Sequence, residues 1–199
     1  MKKTFLFPGM ALALILAAQA QTAEMPALDE TLKWSARLYG ESDLVTKKPE
    51  VVLDDRDKQD GETSLAFETA GQGNSILWLG LSGSFKPPIN MADYESLSVS
   101  YKITPKVLEP PNAKQNMVLL LGKVATDDLK AAVQEVYLDG EWHTLEVPIA
   151  DFKQPSDLAE TSEYNGEDAN VLSLQMFFTR ADEFDVAIKV DNIRLKPKP

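Results

Sequence analysis

The residues with the clearest capacity for chemistry lie on a predicted strand near the C-terminus. Apolar residues occupy every second position from Leu172 to Phe178, so we expect Gln175 and Phe177 to face away from the core. Arg180 follows just beyond them. An aromatic ring stacks on apolar C–H surfaces, while amide and guanidinium groups bond to hydroxyl groups in pairs. The stripe is therefore predicted to bind a polyhydroxylated ligand such as a sugar, and the alternative is a second apolar layer beneath a covering loop.

Three further side chains extend this candidate site. Glu135 and Tyr137 lie on the predicted strand before the turn at Asp139–Gly140, and we expect them to continue the ligand-facing stripe. Trp78 lies in the run 76–81, which is apolar at both parities and therefore typical of a strand covered on both sides. Trp78 is thus either a core residue or a stacking platform for the ligand.

The single histidine and the acidic run before Gly61 do not define a catalytic or metal site by themselves. His143 lies beside Trp142 in a predicted strand, and no Gly-x-Ser-x-Gly motif accompanies it, so we interpret it as a strand residue. The acids look like a calcium loop at first. However, Asp60 stands where an EF-hand requires glycine, and Ala66 stands where it requires glutamate. This segment is therefore interpreted as a solvated acidic turn.

The overall composition excludes several classes of function. The 199 residues include 31 acidic and 20 basic side chains, which give a formal net charge of −11, with one histidine and no cysteine. Nucleic-acid binding depends on Lys and Arg that neutralise phosphates, so this charge argues against it. The absence of cysteine excludes a disulfide framework, a thiolate nucleophile and a cysteine-based zinc site. One histidine excludes a multi-histidine metal site. The sequence is therefore compatible with a single domain that binds a neutral, cationic or metallic ligand.

The first twenty residues have the features of a secretory signal peptide. Two lysines precede an apolar run from 5 to 18. Small residues, Ala18 and Ala20, occupy the two positions before the expected cleavage site that a signal peptidase recognises. We expect cleavage after Ala20, a single mature domain at 21–199, and a periplasmic or secreted location in a bacterium. No later apolar run approaches the length of about 18 residues that a membrane span needs, so no span is expected.

Alternation and turn signals predict an all-β domain. The range 96–103 alternates serine or lysine with large apolar residues, which is typical of a strand with one buried face. Asp139–Gly140 separates two further strands and indicates a type I′ hairpin, in which both central residues have positive φ. Thr126 is expected to cap a short helix over 127–132. About nine or ten short strands at this spacing predict an antiparallel β-sandwich.

The last predicted strand contains a change of phase. Ile188 and Val190 share one parity, whereas Ile193 and Leu195 share the other. Either the strand is buried on both sides, or a β-bulge near Asp191–Asn192 adds the residue that resets the phase. A bulge would turn the Asp191 carboxylate out of the ladder, towards a cation.

The C-terminal motifs resemble those of a known family. Residues 139–152 read DGEWHTLEVPIADF, residues 171–175 read VLSLQ, and residues 188–195 read IKVDNIRL. This resembles the galactose-binding-like jelly rolls of bacterial carbohydrate-binding modules, whose last strands commonly read G-x-W-x-x-hydrophobic-x-[VI]-P and then [VI]-D-N-[IV]-x-[LF]. The resemblance implies a jelly-roll β-sandwich that binds carbohydrate on the concave face of one sheet, with Trp142 as a packing residue.

The resemblance also implies a structural calcium ion. In many such domains the aspartate of the final D-N-I motif faces the ion, and Asp191 is the matching position. N-terminal acids and backbone carbonyls complete the shell, and we select Glu30 among the candidates Asp29, Glu30, Glu41 and Asp43. Because calcium takes about six to eight oxygens, one carboxylate is not a site. The alternative is that Asp191 hydrogen-bonds neighbouring backbone at the bulge.

Three functions stay open at this point. We expect a secreted, monomeric, non-catalytic module that binds polysaccharide or oligosaccharide. The first alternative is the same sandwich used as a structural or protein-interaction domain of the cell envelope, which a large exposed apolar patch would favour. The second is a small jelly-roll lyase or hydrolase, which a deep cleft holding His143, Tyr or Lys beside a carboxylate with a strongly shifted pKa would favour.

Overall fold

The chain forms an almost purely β structure in the residues that the computed structural model describes, namely 27–39, 45–72, 77–109, 114–123, 128–153, 168–178 and 183–199. These ranges hold one helical turn, α1 (Leu28–Thr31), and two 3-10 turns, Met91–Asp93 and Ile149–Asp151. The strands are β1 (Trp34–Tyr39), β2 (Val45–Lys47), β3 (Val52–Asp54), β4 (Ser64–Gln72), β5 (Leu77–Asn90), β6 (Tyr94–Glu109), β7 (Lys114–Lys123), β8 (Asp128–Tyr137), β9 (Trp142–Pro148), β10 (Asp168–Phe178) and β11 (Glu183–Pro197).

The strands form two antiparallel sheets. The five-stranded sheet has the order β1-β5-β10-β7-β8. The second sheet has the order β2-β4-β11-β6-β9, and β3 pairs with β4 on the same edge as β2. This arrangement confirms the antiparallel jelly-roll β-sandwich predicted from the sequence.

The core lies between the two sheets and follows the alternation of the strands. On β6, Leu97, Val99 and Ile103 are fully buried, as the period of two predicts. On β7 of the other sheet, Leu119 and Leu121 are also fully buried, and all five belong to one hydrophobic cluster. The opposite parity of each strand therefore forms an outer face that is free to serve another role.

The predicted helix over 127–132 is wrong. Residues 128–132 begin β8, and Ala131 and Ala132 lie in register opposite Leu120 and Leu119 of β7. Pairing with a long neighbouring strand outweighs the local capping signal, because strand preference depends on cross-strand packing and burial. Thr126 itself lies outside the described residues.

The predicted hairpin at Asp139–Gly140 is also wrong. β8 pairs with β7 in the five-stranded sheet, whereas β9 pairs with β6 in the other sheet, so the turn crosses the edge of the sandwich. Gly140 has a φ of +76°, but Asp139 has no positive φ. The Gly140 N–H donates to the carbonyl of Ile103 at 3.0 Å, which holds the corner on the second sheet.

The predicted bulge in the last strand is confirmed. The register of β11 on β6 shifts between Asp191 and Arg194, and Asn192 has a φ of +50°. The shift lets Val190 and Ile193 both enter the core, where each is buried.

No helix in the described ranges is both long enough and apolar enough to cross a membrane. The predicted signal peptide at 1–20 lies outside the described residues, so it stays a prediction.

Candidate functional site

Three aromatic positions fall into one row of the five-stranded sheet. Trp78 of β5 lies in register opposite Tyr39 of β1 on one side and opposite Phe177 of β10 on the other. The three positions therefore span three adjacent strands, which lie about 4.8 Å apart in a sheet. Sequence reasoning selected Trp78 and Phe177, and the register adds Tyr39 to the same row.

The next row of this sheet carries polar groups around a glycine. Gly80 lies in register between Arg37 of β1 and Gln175 of β10. Arg37 is exposed, Gln175 is half-buried, and both alternate with the core residues of their strands. Gly80 has no side chain, so β5 does not fill the space between the Arg37 guanidinium and the Gln175 amide. The two groups are suited to pairwise hydrogen bonding with hydroxyls.

The third row is made of serines. Ser82 and Ser173 face each other across β5 and β10, and the Ser82 hydroxyl donates to the Ser173 hydroxyl at 2.9 Å. Ser35 of β1 continues the row and is exposed. The half of the sheet that is formed by β1, β5 and β10 therefore has a row of aromatic positions, followed by a row with Arg37 and Gln175 and a row of serines.

Beside Gln175, the outer face becomes aliphatic on β7 and β8. Gln175 is followed across the sheet by Val118 of β7 and Val133 of β8, which lie in register with each other. Val133 is 45% exposed, and Val118 is half-buried. The outer face thus changes from polar and aromatic to aliphatic between β10 and β7.

Glu135 and Tyr137 lie at the far edge of this face and are already engaged. The Lys114 ammonium forms an ion pair with Glu135 and lies 4.8 Å from the centroid of the Tyr137 ring. The Tyr137 ring also stacks on His143 at a centroid distance of 4.9 Å. These two residues therefore belong to an edge cluster, while Gln175, Phe177 and Trp78 share the register block on β5 and β10. Arg180 lies outside the described residues.

His143 holds the corner between the two sheets. Its ring stacks on the buried Tyr101 at 5.5 Å as well as on Tyr137, and its Nε2 lies 3.0 Å from both carboxylate oxygens of Asp139. The Glu141 N–H and then His143 keep the pKa of Asp139 below its usual value. Asp139 is 45% exposed, so the pair lies at the surface and joins β8 to β9.

The acidic loop before Gly61 packs on the outer face of the second sheet, which corrects the interpretation as a solvated turn. Asp57 accepts hydrogen bonds from the Trp142 indole at 2.9 Å and the Lys189 ammonium at 2.8 Å, and lies 3.1 Å from the Lys102 ammonium. Lys189 above all, then Trp142 and Lys102, hold the pKa of Asp57 well below its usual range. Trp142 is therefore a packing residue, as the resemblance implied.

The Asp191 carboxylate is buried and accepts backbone hydrogen bonds. Its Oδ2 accepts the N–H groups of Gln59 and Asp60, and its Oδ1 accepts the N–H of Asn192 at 2.6 Å. Asp191 is only 1% exposed. It thus closes the bulge and anchors the loop before Gly61, as the alternative for this residue predicted.

Asp29, one of the four acids named as candidates, lies beside Asp191. The Oδ1 of Asp29 accepts the Ile193 N–H at 2.7 Å, whereas its Oδ2 is buried without a hydrogen-bond partner in the structure. Burial above all, together with the neighbouring Asp191, raises the pKa of Asp29 to about 6. Glu30 is exposed, and its Oε1 accepts the Glu62 N–H at 2.8 Å.

This donor set fits a cation in part. An unpartnered carboxylate oxygen beside a second buried carboxylate is a position where a positive charge relieves repulsion. Within the described ranges no three acids or histidines cluster as metal ligands, so backbone oxygens or water would have to supply most of a calcium shell.

Comparisons with known proteins show the fold. No family model matches the chain, and no curated protein matches it. Among solved structures, the family 11 carbohydrate-binding module of a Clostridium thermocellum cellulosomal cellulase is similar at 15% identity, covering 86% of this chain and 94% of that module with a TM-score of 0.51. A carbohydrate-binding module specific for non-crystalline cellulose is similar at 13% identity, 82% and 88% coverage and a TM-score of 0.52. An exo-β-agarase is similar at 14% identity and a TM-score of 0.52 over 89% of this chain and 25% of the enzyme. The chain therefore has the jelly-roll fold of carbohydrate-binding modules.

Proposed function

We propose that the protein is a non-catalytic carbohydrate-binding module that holds a glycan on the outer face of the five-stranded sheet. The observation that carries this proposal is the register of β1, β5 and β10. It places Tyr39, Trp78 and Phe177 in one row and Arg37 and Gln175 in the next. Aromatic and paired hydrogen-bonding groups on one preformed surface are what a sugar ring requires.

In this proposal the two rows have different tasks. The aromatic row stacks on the C–H faces of successive sugar rings, and Arg37 and Gln175 bond to their hydroxyl groups. The glycan chain runs across the strands, from β1 towards β10, because the aromatic row runs in that direction. Because the groups are held by paired strands, little ordering is needed on binding.

A neutral polysaccharide is the ligand class that we propose. A chain with a net charge of −11 repels polyanions. The similar module named above is specific for non-crystalline cellulose, which is a neutral glucan. We therefore propose soluble or amorphous β-glucans as the first ligands to test.

Two features support the non-catalytic form of the proposal over a lyase or hydrolase. The one histidine, His143, pairs with Asp139 at an exposed corner, where the pKa of the carboxyl is lowered and not raised towards neutrality. Its ring is also stacked between Tyr101 and Tyr137. These contacts are typical of a structural residue at the corner between the two sheets. We further propose, from the sequence, that the chain is exported and acts as a monomer in the periplasm or outside the cell.

We also propose that Asp29 and Asp191 hold a structural cation, of which calcium is the best candidate. The support is the unpartnered Oδ2 of Asp29 beside the buried carboxylate of Asp191. Such an ion would join α1 to the bulge of β11, because Asp29 already bonds the Ile193 N–H there. This role stabilises the fold and leaves the glycan face unchanged.

Isothermal titration against neutral polysaccharides tests the binding proposal. A measurable heat with at least one β-glucan, and none with a polyuronate of similar length, is the expected result. No heat with any member of a broad neutral panel would contradict it.

A further inference from the structure

The second sheet has an uncovered apolar edge at β3. Leu53 lies in register opposite Leu65, which is a core residue at 2% exposure, yet Leu53 itself is 66% exposed. Its neighbour Val52 is 54% exposed. Leu53 therefore points to the same face of the sheet as the core residue Leu65 but is exposed to solvent, so apolar surface is left uncovered at this edge.

This edge borders a cavity of about 580 Å³ between α1 and the β3–β4 pair. The apolar part of its wall includes Leu32, Trp34 and Leu53, and the acidic part is formed by Asp29, Glu30 and Glu62. Among the described residues that line it, there is no lysine, arginine or histidine. Lys58 lies nearby, but its ammonium bonds to the carbonyl oxygen of Glu62 at 2.6 Å. The cavity therefore combines apolar surface with negative charge.

The backbone of β3 is available for pairing on one side. In the described part of the chain, β3 pairs with β4 alone. The β2 portion of the same edge ends in Lys47 and Lys48, and edge lysines oppose the addition of another strand. Val52 and Leu53 provide no such protection, so an added strand is favoured at β3.

The charge decides between a second copy and a different partner. A symmetric pair of copies would bring Asp29, Glu30 and Glu62 of one against the same acids of the other, in a protein whose net charge is −11. A basic segment would instead neutralise these carboxylates with the side chains that it places on the Leu53 face, and its alternate apolar side chains would cover Val52. A cation held between Asp29 and Asp191 would still leave Glu30 and Glu62 exposed to such a segment.

We propose that β3 is a docking edge for an extended segment of a partner protein in which basic and apolar side chains alternate. The segment adds to the sheet beside Val52–Asp54 and directs its basic side chains along the Leu53 face, towards Glu30 and Glu62, while its alternating apolar side chains pack on Val52 at the other face. This surface lies on the sheet opposite the proposed glycan face, so one module can hold a glycan and a partner together.

Two seven-residue peptides test this proposal, one alternating lysine with valine and the other alternating glutamate with valine. Each is titrated into the 15N-labelled protein while backbone amide shifts are followed. The lysine peptide is expected to shift the amides of 52–54 in a salt-sensitive manner, and the glutamate peptide is expected to leave them unchanged. Leu53→Lys should weaken binding of the lysine peptide at least tenfold, whereas Val107→Lys, at another exposed valine, should not.

Three outcomes would overturn the proposal. Equal shifts from both peptides, or none at millimolar concentration, would show that the edge does not select a basic segment. Protection from hydrogen exchange, in dilute free protein, of those 52–54 amides that face away from β4 would show that the chain already covers its own edge. Protection that grows with concentration, together with dimers in sedimentation, would show that a second copy is the occupant. None of these outcomes bears on glycan binding.

Discussion

The indole N–H of Trp142 donates a hydrogen bond to Oδ1 of Asp57 at 2.9 Å. This contact fastens the loop before Gly61 to β9, on the outer face of the second sheet. The same carboxylate accepts a hydrogen bond from Lys189 and lies beside the Lys102 ammonium. Asp57 therefore holds the loop on this face through one hydrogen bond to an indole and two ion pairs.

Asp57→Asn is expected to lower stability at neutral pH and to weaken the response to acid. The pKa of Asp57 is depressed in the folded state, so its contribution is present above the unfolded pKa of about 3.9 and is lost as the pH falls through the folded pKa. Urea denaturation at pH 7 and at pH 3 measures this effect. Asp55→Asn, on the same loop, is the matched control. Equal pH dependence of the variant and the wild type would contradict the prediction.

Trp142→Phe is expected to cost about 1 kcal/mol through the lost hydrogen bond, in addition to any loss of packing. In the double variant with Asp57→Asn, the two effects should be less than additive because both remove the same contact. Chemical denaturation of the four proteins in this cycle measures the coupling. Strict additivity would show that the indole and the carboxylate do not act together.

Gly83→Ala is expected to destabilise the sandwich by about 1–3 kcal/mol, because it overpacks the core. A Cβ at this position would lie 2.9 Å from the Cε2 and Cζ2 atoms of Trp34, which is a core residue. Ser84→Ala, at an exposed neighbour on β5, should be nearly neutral. Thermal unfolding compares the variants, and an unchanged Tm for Gly83→Ala would place Trp34 elsewhere.

Calcium is expected to raise the Tm of the wild-type protein and to leave that of Asp29→Asn unchanged. At 100 times its Kd, a ligand that binds only the folded state adds about 2.7 kcal/mol. Glu30→Gln should keep the response, since the Glu30 carboxylate bonds to the Glu62 N–H and is exposed. Scans with calcium and with a chelator make the test. An unchanged Tm of the wild-type protein in calcium and in chelator would contradict the proposed structural cation.

The sequence predicts strands well where one side chain in two is apolar. The alternation through Leu97, Val99 and Ile103 predicts β6 because burial of one face leaves a local pattern. The phase change around Asp191 predicts the bulge for the same reason. The corner at Asp139 could not be predicted, since a turn signal does not tell whether the next strand pairs in the same sheet.

Only part of the candidate site could be predicted from the sequence. The parity of β10 selects Gln175 and Phe177, but strand order decides which residues lie beside them. Arg37 and Tyr39 join them because β1 pairs with β5, and this pairing links residues that are far apart in the chain. Likewise the sequence includes Asp29 among four candidate acids near Asp191 but does not single it out, because burial within a single helical turn leaves no periodic pattern.

The most direct test of the central claim is the affinity of the outer face of the five-stranded sheet for a neutral β-glucan. Isothermal titration compares the wild-type protein with Gln175→Ala, Phe177→Ala and Trp78→Ala, and with Thr46→Ala on the opposite sheet as a control. Circular dichroism verifies that each variant is folded. We expect Gln175→Ala, Phe177→Ala and Trp78→Ala each to lose affinity at least tenfold, and Thr46→Ala to keep the wild-type affinity. Wild-type affinity in folded Gln175→Ala, Phe177→Ala and Trp78→Ala would contradict the central claim.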